Sequence, residues 1–263
     1  MKRLWTLLLL MLALPVQAEV AVEKVLACMQ ANILPGTQVQ VLEFTTTDIA
    51  GGSRTLKGKL FTTREKLPDA DGLLRATLQI SAPEHLAGAA YLLRQTEDKR
   101  FDSMYVYLPS VRRVRRISTE FADGSLLGTN FSYYEFKQIS NAFSGLPPKL
   151  EAGEELDGRD VHRLSFSARA DDPTAIYSQM RVWVDRKTCV PLKAEFYKGE
   201  ALRKRFSAPV RALRKAGDHW YLTDMEMHDL IDDTRTTLRI HDVALVKELP
   251  SRIFEPNTFY LRE

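Results

Sequence analysis

The chain has 263 residues, 44% of them hydrophobic and 27% charged, with a formal net charge of +3. That length suits one large all-β domain or two small ones, and the lack of a linker or low-complexity run favours one. So small a net charge excludes a global nucleic-acid signal, leaving only local basic groups to explain.

Residues 1–18 read as a signal peptide. Lys2 and Arg3 form a positive n-region, Leu4 to Leu14 is apolar except for Thr6, and Pro15 precedes Val16-Gln17-Ala18, small residues of the kind a signal peptidase reads. The apolar run is too short for an anchor, which needs roughly 20 residues. A buried N-terminal helix is the structural alternative. Lipid attachment at Cys28, within Val25-Leu26-Ala27-Cys28, is opposed by Glu23 and Lys24 just upstream. Cleavage after Ala18 removes Lys2 and Arg3, so the charge falls from +3 to +1. The expectation is a soluble periplasmic protein with a single domain over residues 19–263. Cys28 and Cys189 then share an oxidising compartment where a bridge is permitted; two separate buried thiols are the alternative.

Beyond the leader, Val22, Val25, Leu26 and Met29 recur at helical spacing, which predicts a helix over Val20 to Ala31. Strands follow at Gln38 to Thr47, Thr55 to Thr63, Leu74 to Ile80, Ala89 to Gln95 and Ser103 to Leu108. Later ones are expected at Val161 to Ser167, Met180 to Asp185, Val190 to Phe196, Arg203 to Leu213, His219 to His228 and Thr234 to Val243. Ser132, with Glu135 three positions on, predicts a capping box opening a helix over Tyr133 to Ile139. A short turn is expected near Ser251 to Phe254. About eleven strands with one apolar face each imply a mainly β fold, an antiparallel sheet wet on one side and covered on the other. A few helices cannot fill the interior of so large a bent sheet, which argues for a ligand cavity. Periodicity equally allows a filled sandwich or barrel.

The stretch from Met104 to Phe136 is the most distinctive. Tyr105 and Tyr107 share one strand face, and Pro109 ends the strand. Arg112, Arg113, Arg115 and Arg116 come next, with Val111, Val114 and Ile117 at every third position, so a bulge or turn is expected near Arg113. Their charge needs acids nearby (Glu97, Asp98, Asp102, Glu120 and Asp123 are the candidates) or an anionic headgroup or partner. A second basic group holds Arg203, Lys204, Arg205, Arg211, Arg214 and Lys215. Gly124 and Gly128 flank Leu126 and Leu127, and the aromatics Phe121, Phe131, Tyr133, Tyr134, Phe136 and Phe143 surround them. These side chains form either plain core or a flap over an apolar cavity.

Several runs resemble one family. Tyr105 to Pro109, the arginine run, and Leu127-Gly128-Thr129-Asn130-Phe131-Ser132-Tyr133 are similar to the "outer membrane lipoprotein-sorting protein" group of LolA-like periplasmic proteins. Cys28 to Pro35, Ala82-Pro83 with Leu86-Ala87-Gly88, and Asp185 through Pro191-Leu192-Lys193 fit the same group. Asn130 departs from it, since members often carry an acid there. The resemblance implies an incomplete antiparallel β-barrel of about eleven strands closed by a few helices, LolA/LolB-like. It also implies a cavity for a lipid or lipoprotein acyl chain and an inner-membrane RND-type transporter as partner. Leu126, Leu127, Phe131, Tyr133, Tyr134, Phe136, Tyr105 and Tyr107 are the expected cavity or lid residues, and Arg112, Arg113, Arg115 and Arg116 the docking residues.

Catalysis is disfavoured. His85, His162, His219, His228 and His241 show neither metalloprotease nor zinc-finger spacing, and no nucleophile elbow or phosphate-cradling glycine loop is present. Asp224, His228 and Asp232 are the one acid–histidine group, of the kind that is usually a surface pair. The expectation is a monomeric carrier without metal, cofactor or nucleic-acid partner. The alternative is a lipid-sensing regulatory protein of the same fold that binds a membrane-protein partner.

Overall fold

The computed structural model describes residues 14–67, 70–97, 102–143, 147–169 and 175–261. Helix α1 (Leu14–Ala31) leads into strands β1 (Thr37–Thr47), β2 (Ser53–Leu67), β3 (Ala70–Ala82), β4 (Ala90–Arg94), β5 (Ser103–Leu108) and β6 (Arg113–Ile117). Helix α2 (Tyr133–Ser140) separates these from β7 (Lys149–Leu156), β8 (Arg159–Ser167), β9 (Gln179–Asp185), β10 (Pro191–Lys198) and β11 (Ala201–Ser207). A hairpin of β12 (Leu213–Ala216) and β13 (His219–Leu222) precedes β14 (Asp224–Asp229) and β15 (Thr234–Val246).

Thirteen strands make one antiparallel sheet in the order β6-β5-β4-β3-β2-β1-β15-β14-β11-β10-β9-β8-β7, and β12–β13 stands apart as a two-stranded sheet. Pairing of β1 with β15, from Thr37 opposite Val246 to Thr47 opposite Arg235, joins two meanders in the middle of the sheet. The strands β6 and β7 remain as unpaired edges, so the barrel is incomplete, as expected. The strand count exceeds the expectation for local reasons. The segments Arg203 to Leu213 and His219 to His228 each break in two, and β6 and β7 carry no apolar alternation. The irregularity anticipated near Arg113 falls at Arg112, whose φ of 52° turns the chain into a regular β6.

Alternate residues of each strand point to one face, and there they build a single core. Leu42 and Phe44 of β1, Leu60 of β2, Leu78 and Ile80 of β3, Tyr91 of β4 and Val106 of β5 belong to it, together with Val25 and Met29 of α1 and Phe136 of α2. The opposite face is wet over much of its area but not throughout. A C-terminal segment containing the turn Ser251–Phe254 crosses it, burying Ile253 and Phe254 against Phe61, and Phe259 against Ala90 and Leu92. The Thr77 hydroxyl donates to the Ile253 carbonyl at 2.6 Å, so the strap also satisfies polar groups of the sheet.

Helix α2 starts where its cap dictates, whereas α1 begins at Leu14, six residues before the expected Val20, and ends at Ala31 as expected. The Ser132 side chain accepts the Glu135 amide at 3.1 Å, and the Glu135 carboxylate accepts the Ser132 amide at 2.7 Å, the reciprocal bonds of a capping box. The other helix is tied covalently: Cys28 and Cys189 form a disulfide with Cα atoms 5.7 Å apart, pinning α1 to the turn between β9 and β10. Residues 1–13 of the expected leader lie outside the described residues, and α1 runs through Ala18 without a break. No described helix is long and apolar enough to cross a membrane.

Candidate functional site

Between the two helices and the inner face of the sheet lies a mainly apolar, partly open pocket of about 220 Å³. Leu42, Leu60, Met225, Leu238 and Ile240 form its floor, and Met29, Ile33, Phe131, Phe136 and Ile139 its roof. Trp220, Tyr221 and Leu222 of β13 close one side. Polarity changes along the strands: Leu42 lies opposite Gly58, Gln40 opposite Leu60, and Gln38 opposite Thr62. The greasy end is therefore deep, and the amide and hydroxyl groups lie toward β1's start. Gln38 is buried there but satisfied, its amide donating to the Leu34 carbonyl at 2.7 Å.

A polar lock holds the roof. Glu135, whose side chain is fully buried, lies 3.1 Å from the Lys204 ammonium and accepts the Tyr177 hydroxyl. Lys204 also donates to the Asn130 carbonyl at 2.8 Å. Burial, and next the negative charge and hydrogen bond of Glu135, push the Tyr177 phenol far above its ordinary range, so it remains a donor at any physiological pH. The Asn130 side chain reaches β15, accepting from the Thr236 hydroxyl at 2.8 Å and donating to Thr234. Beside this lock lies a polar cleft of about 250 Å³ whose charges are paired: Lys198 with Asp123 at 3.0 Å, Arg203 with Asp229 at 2.8 Å and with Asp232 at 3.0 Å.

The turn that carries Cys189 is built with equal care. Asp185 accepts two bonds from the Arg159 guanidinium, at 2.8 and 2.7 Å, and two from Thr188, at 2.8 and 2.6 Å. Burial alone raises its carboxyl pKa, but the Arg159 and Thr188 bonds outweigh that and hold it below the ordinary value. Cys189 itself adopts a φ of 56°, the left-handed conformation that turns the chain back into β10.

Of the cavity and lid residues expected from sequence, Phe131 and Phe136 line the pocket. Leu126 and Leu127 are buried outside its lining, in a turn fixed by positive φ at Leu127 (52°) and Gly128 (81°). The Thr129 hydroxyl donates to the Leu126 carbonyl at 2.8 Å, and the Leu126 amide to the Phe131 carbonyl at 2.8 Å, so the glycine-flanked segment is a closed turn. Tyr133 stacks on Tyr91 at 5.3 Å, and Tyr134 meets Tyr177 at 5.8 Å. Tyr105 and Tyr107 stand away from the pocket, on the opposite face, where Tyr107 stacks on Tyr260 at 3.9 Å. The reason is register: Met104 and Val106 take the core face of β5, which leaves the tyrosines to the C-terminal strap.

Arg112, Arg113, Arg115 and Arg116 are all exposed along the β6 edge. Three of the acids expected to balance them are engaged elsewhere, Asp102 with Lys137 at 2.9 Å, Asp123 with Lys198, and Glu120 with Ser118, and Glu97 is exposed. Asp98 lies outside the described residues. The group Asp224, His228 and Asp232 is split among different partners, Arg239, Asp233 and Arg203 respectively. Among the described residues no three or more His, Cys, Asp or Glu side chains are placed to hold a metal. The Glu135–Lys204–Tyr177 lock escaped sequence reading; its one visible signal was the capping glutamate.

A family model described as "Uncharacterized protein" matches residues 73–260, more than half of the chain. The chain belongs to that family. No curated protein matches it. Its fold is LolA-like. A DUF1329 family protein from Desulfovibrio piger is similar with a TM-score of 0.80 and 19% identity, over 90% of this chain and 97% of that one. A domain assigned as an outer membrane lipoprotein-sorting protein, from Vibrio parahaemolyticus, gives 0.76 and 22% over 91% and 99%. A LolA superfamily protein from Nitrosomonas europaea gives 0.68 and 19% over 89% and 97%.

Proposed function

We propose that this protein is a periplasmic carrier that shelters a lipid, a lipoprotein acyl chain or a similar hydrophobic moiety during transfer between membranes. The observation that carries the reading is the apolar pocket between sheet and helices, a space that the surrounding leucine, methionine and phenylalanine side chains do not fill. The Cys28–Cys189 bridge and the leader-like N-terminus support an exported, oxidising location. The LolA-like fold of its structural neighbours supports the class of cargo, and an inner-membrane RND-type transporter is the donor or acceptor this reading calls for.

The function is partition and not reaction. Each methylene moved from water into the pocket stabilises the complex by about 0.8 kcal/mol. Donor and acceptor membranes are equally apolar, so net transfer is near zero and a partner at each end must bias loading and release. The pocket is smaller than the ~300–1,000 Å³ of most ligand sites. A pocket of this volume accepts a chain end, with the remainder leaving past the polar rows of β1 and β2.

The test is native mass spectrometry of the monomeric chain purified from a bacterial periplasm, followed by titration with a fluorescent fatty acid. An apolar molecule should co-purify, and the fatty acid should bind. Ile139→Trp, which fills the pocket from the half-buried face of α2, should abolish uptake while leaving the melting curve cooperative. No co-purifying apolar ligand together with no uptake by the wild type refutes the reading.

A further inference from the structure

We propose that the open edge at β6 is a docking ridge for the anionic headgroups of a phospholipid bilayer. This goes beyond the carrier reading and does not depend on it, since docking requires no cargo in the pocket. Strand β6 is the last in the sheet, with no neighbour on its far side. Its register sets the direction of each guanidinium. Arg115 pairs with Val106 and Arg113 with Leu108, so both lean toward the core-facing side, whereas Arg116 pairs with Tyr105 and leans toward the outer side. Arg112 caps the ridge from the preceding turn. Apart from a 3.5 Å contact from Arg116 to the Ser103 hydroxyl, the described residues offer the four cations no acidic partner.

Two apolar side chains frame this charge. Val111 is 40% exposed before the strand and Phe121 is 66% exposed after it. Cations that bind phosphate oxygens through a fixed fork, flanked by side chains that enter the interfacial layer, are the chemistry of a bilayer surface. Mutual repulsion among four guanidinium groups within five positions is relieved when anions collect between them. A strand-adding protein is the competing occupant of an open edge. Dense cationic side chains on an edge oppose strand addition, and splaying over both faces suits a plane of mobile headgroups better than one rigid patch.

The experiment is co-sedimentation of the full chain with phosphatidylcholine vesicles, with and without phosphatidylglycerol. Binding should need phosphatidylglycerol and should fall steeply with added salt. Each arginine near such a surface contributes about a fivefold gain in affinity, so Arg113→Glu with Arg115→Glu should weaken binding by roughly a hundredfold or more. Phe121→Ser should weaken it several-fold without changing the salt dependence. Lys59→Glu with Lys247→Glu makes the same net charge change at exposed positions elsewhere and should leave binding intact. All positions are on the surface, and circular-dichroism melts confirm that each variant folds. Overturning results are no preference for phosphatidylglycerol, an equal loss in the lysine control, or retention on an immobilised acidic peptide without any vesicle binding, which would assign the ridge to a protein.

Discussion

Replacing Lys204 by methionine tests whether the roof of the pocket is held by a buried charge pair. The Lys204 side chain is 10% exposed and that of Glu135 is 0% exposed, 3.1 Å apart. Methionine keeps the aliphatic stem but leaves the Glu135 carboxylate with only the Ser132 amide and the Tyr177 hydroxyl. Removing one partner of such a pair costs about 3–5 kcal/mol, because the remaining charge is stranded away from water. In a chain of this size that lowers the melting temperature by roughly 6–20 °C. Adding Glu135→Gln should then recover most of the loss: glutamine still accepts the Ser132 amide in the capping box but carries no charge. The pair of changes together should therefore be more stable than Lys204→Met alone, a large departure from additivity. Thermal and urea melts of the oxidised full chain measure it. A Lys204→Met protein within about 1 kcal/mol of wild type, or a double variant as unstable as the sum of the singles, would refute the lock.

Two other predictions concern the opposite wall. Cys28→Ser with Cys189→Ser opens a loop of 161 residues, and the chain-entropy model gives a loss of about 5 kcal/mol, read as a lower urea midpoint that reductant no longer shifts. The depressed carboxyl of Asp185 contributes stability that is complete above its unfolded value of about 3.9 and disappears as the pH falls through that value toward the folded one. Asp185→Asn should therefore lower stability at neutral pH and flatten its decline in acid; urea midpoints followed from about pH 6 to pH 3 check both, and an unchanged acid limb counts against the assignment.

What could be read in the sequence and what could not divides along physical lines. Elements with a local code were visible: Ser103–Leu108 alternates tyrosines with core residues, Ser132 and Glu135 announce α2, and the turn at Ser251–Phe254 falls where it was expected. Strand β7 left no trace because Leu-Glu-Ala-Gly-Glu-Glu-Leu is exposed or half-exposed along its whole length, so nothing selects an apolar period. Tyr105 and Tyr107 were expected at the cavity yet lie on the other face, because both faces of β5 are covered, one by the core and one by a strap from the far end of the chain. Partnerships across long separations were hidden for the same reason. Glu135 and Lys204 are 69 positions apart, and only folding brings one carboxylate of the capping box to one lysine of a basic run. The Cys28–Cys189 pair was the exception, since a chain with two cysteines has one way to join them.

The pocket's walls differ in how firmly they are held, and that difference bears on how it could widen for a cargo larger than 220 Å³. Helix α1 is bound covalently through Cys28, and α2 is bound by its buried charge pair and by Phe136 in the core. The sheet floor is a continuous ladder of backbone bonds. The β12–β13 hairpin is the exception: it belongs to a separate two-stranded sheet, and Trp220 and Tyr221 are only half-buried. Two hydrogen bonds tie β13 to the end of α1, from the Trp220 amide to Asn32 at 2.9 Å and from the His219 ring to the Ala31 carbonyl at 2.7 Å. Segments with few buried contacts and exposed hydrogen bonds open at the lowest free energy. The hairpin is thus the wall least tied to the main sheet by backbone pairing, with Leu222 buried in the core and Leu213 and Trp220 packed against it.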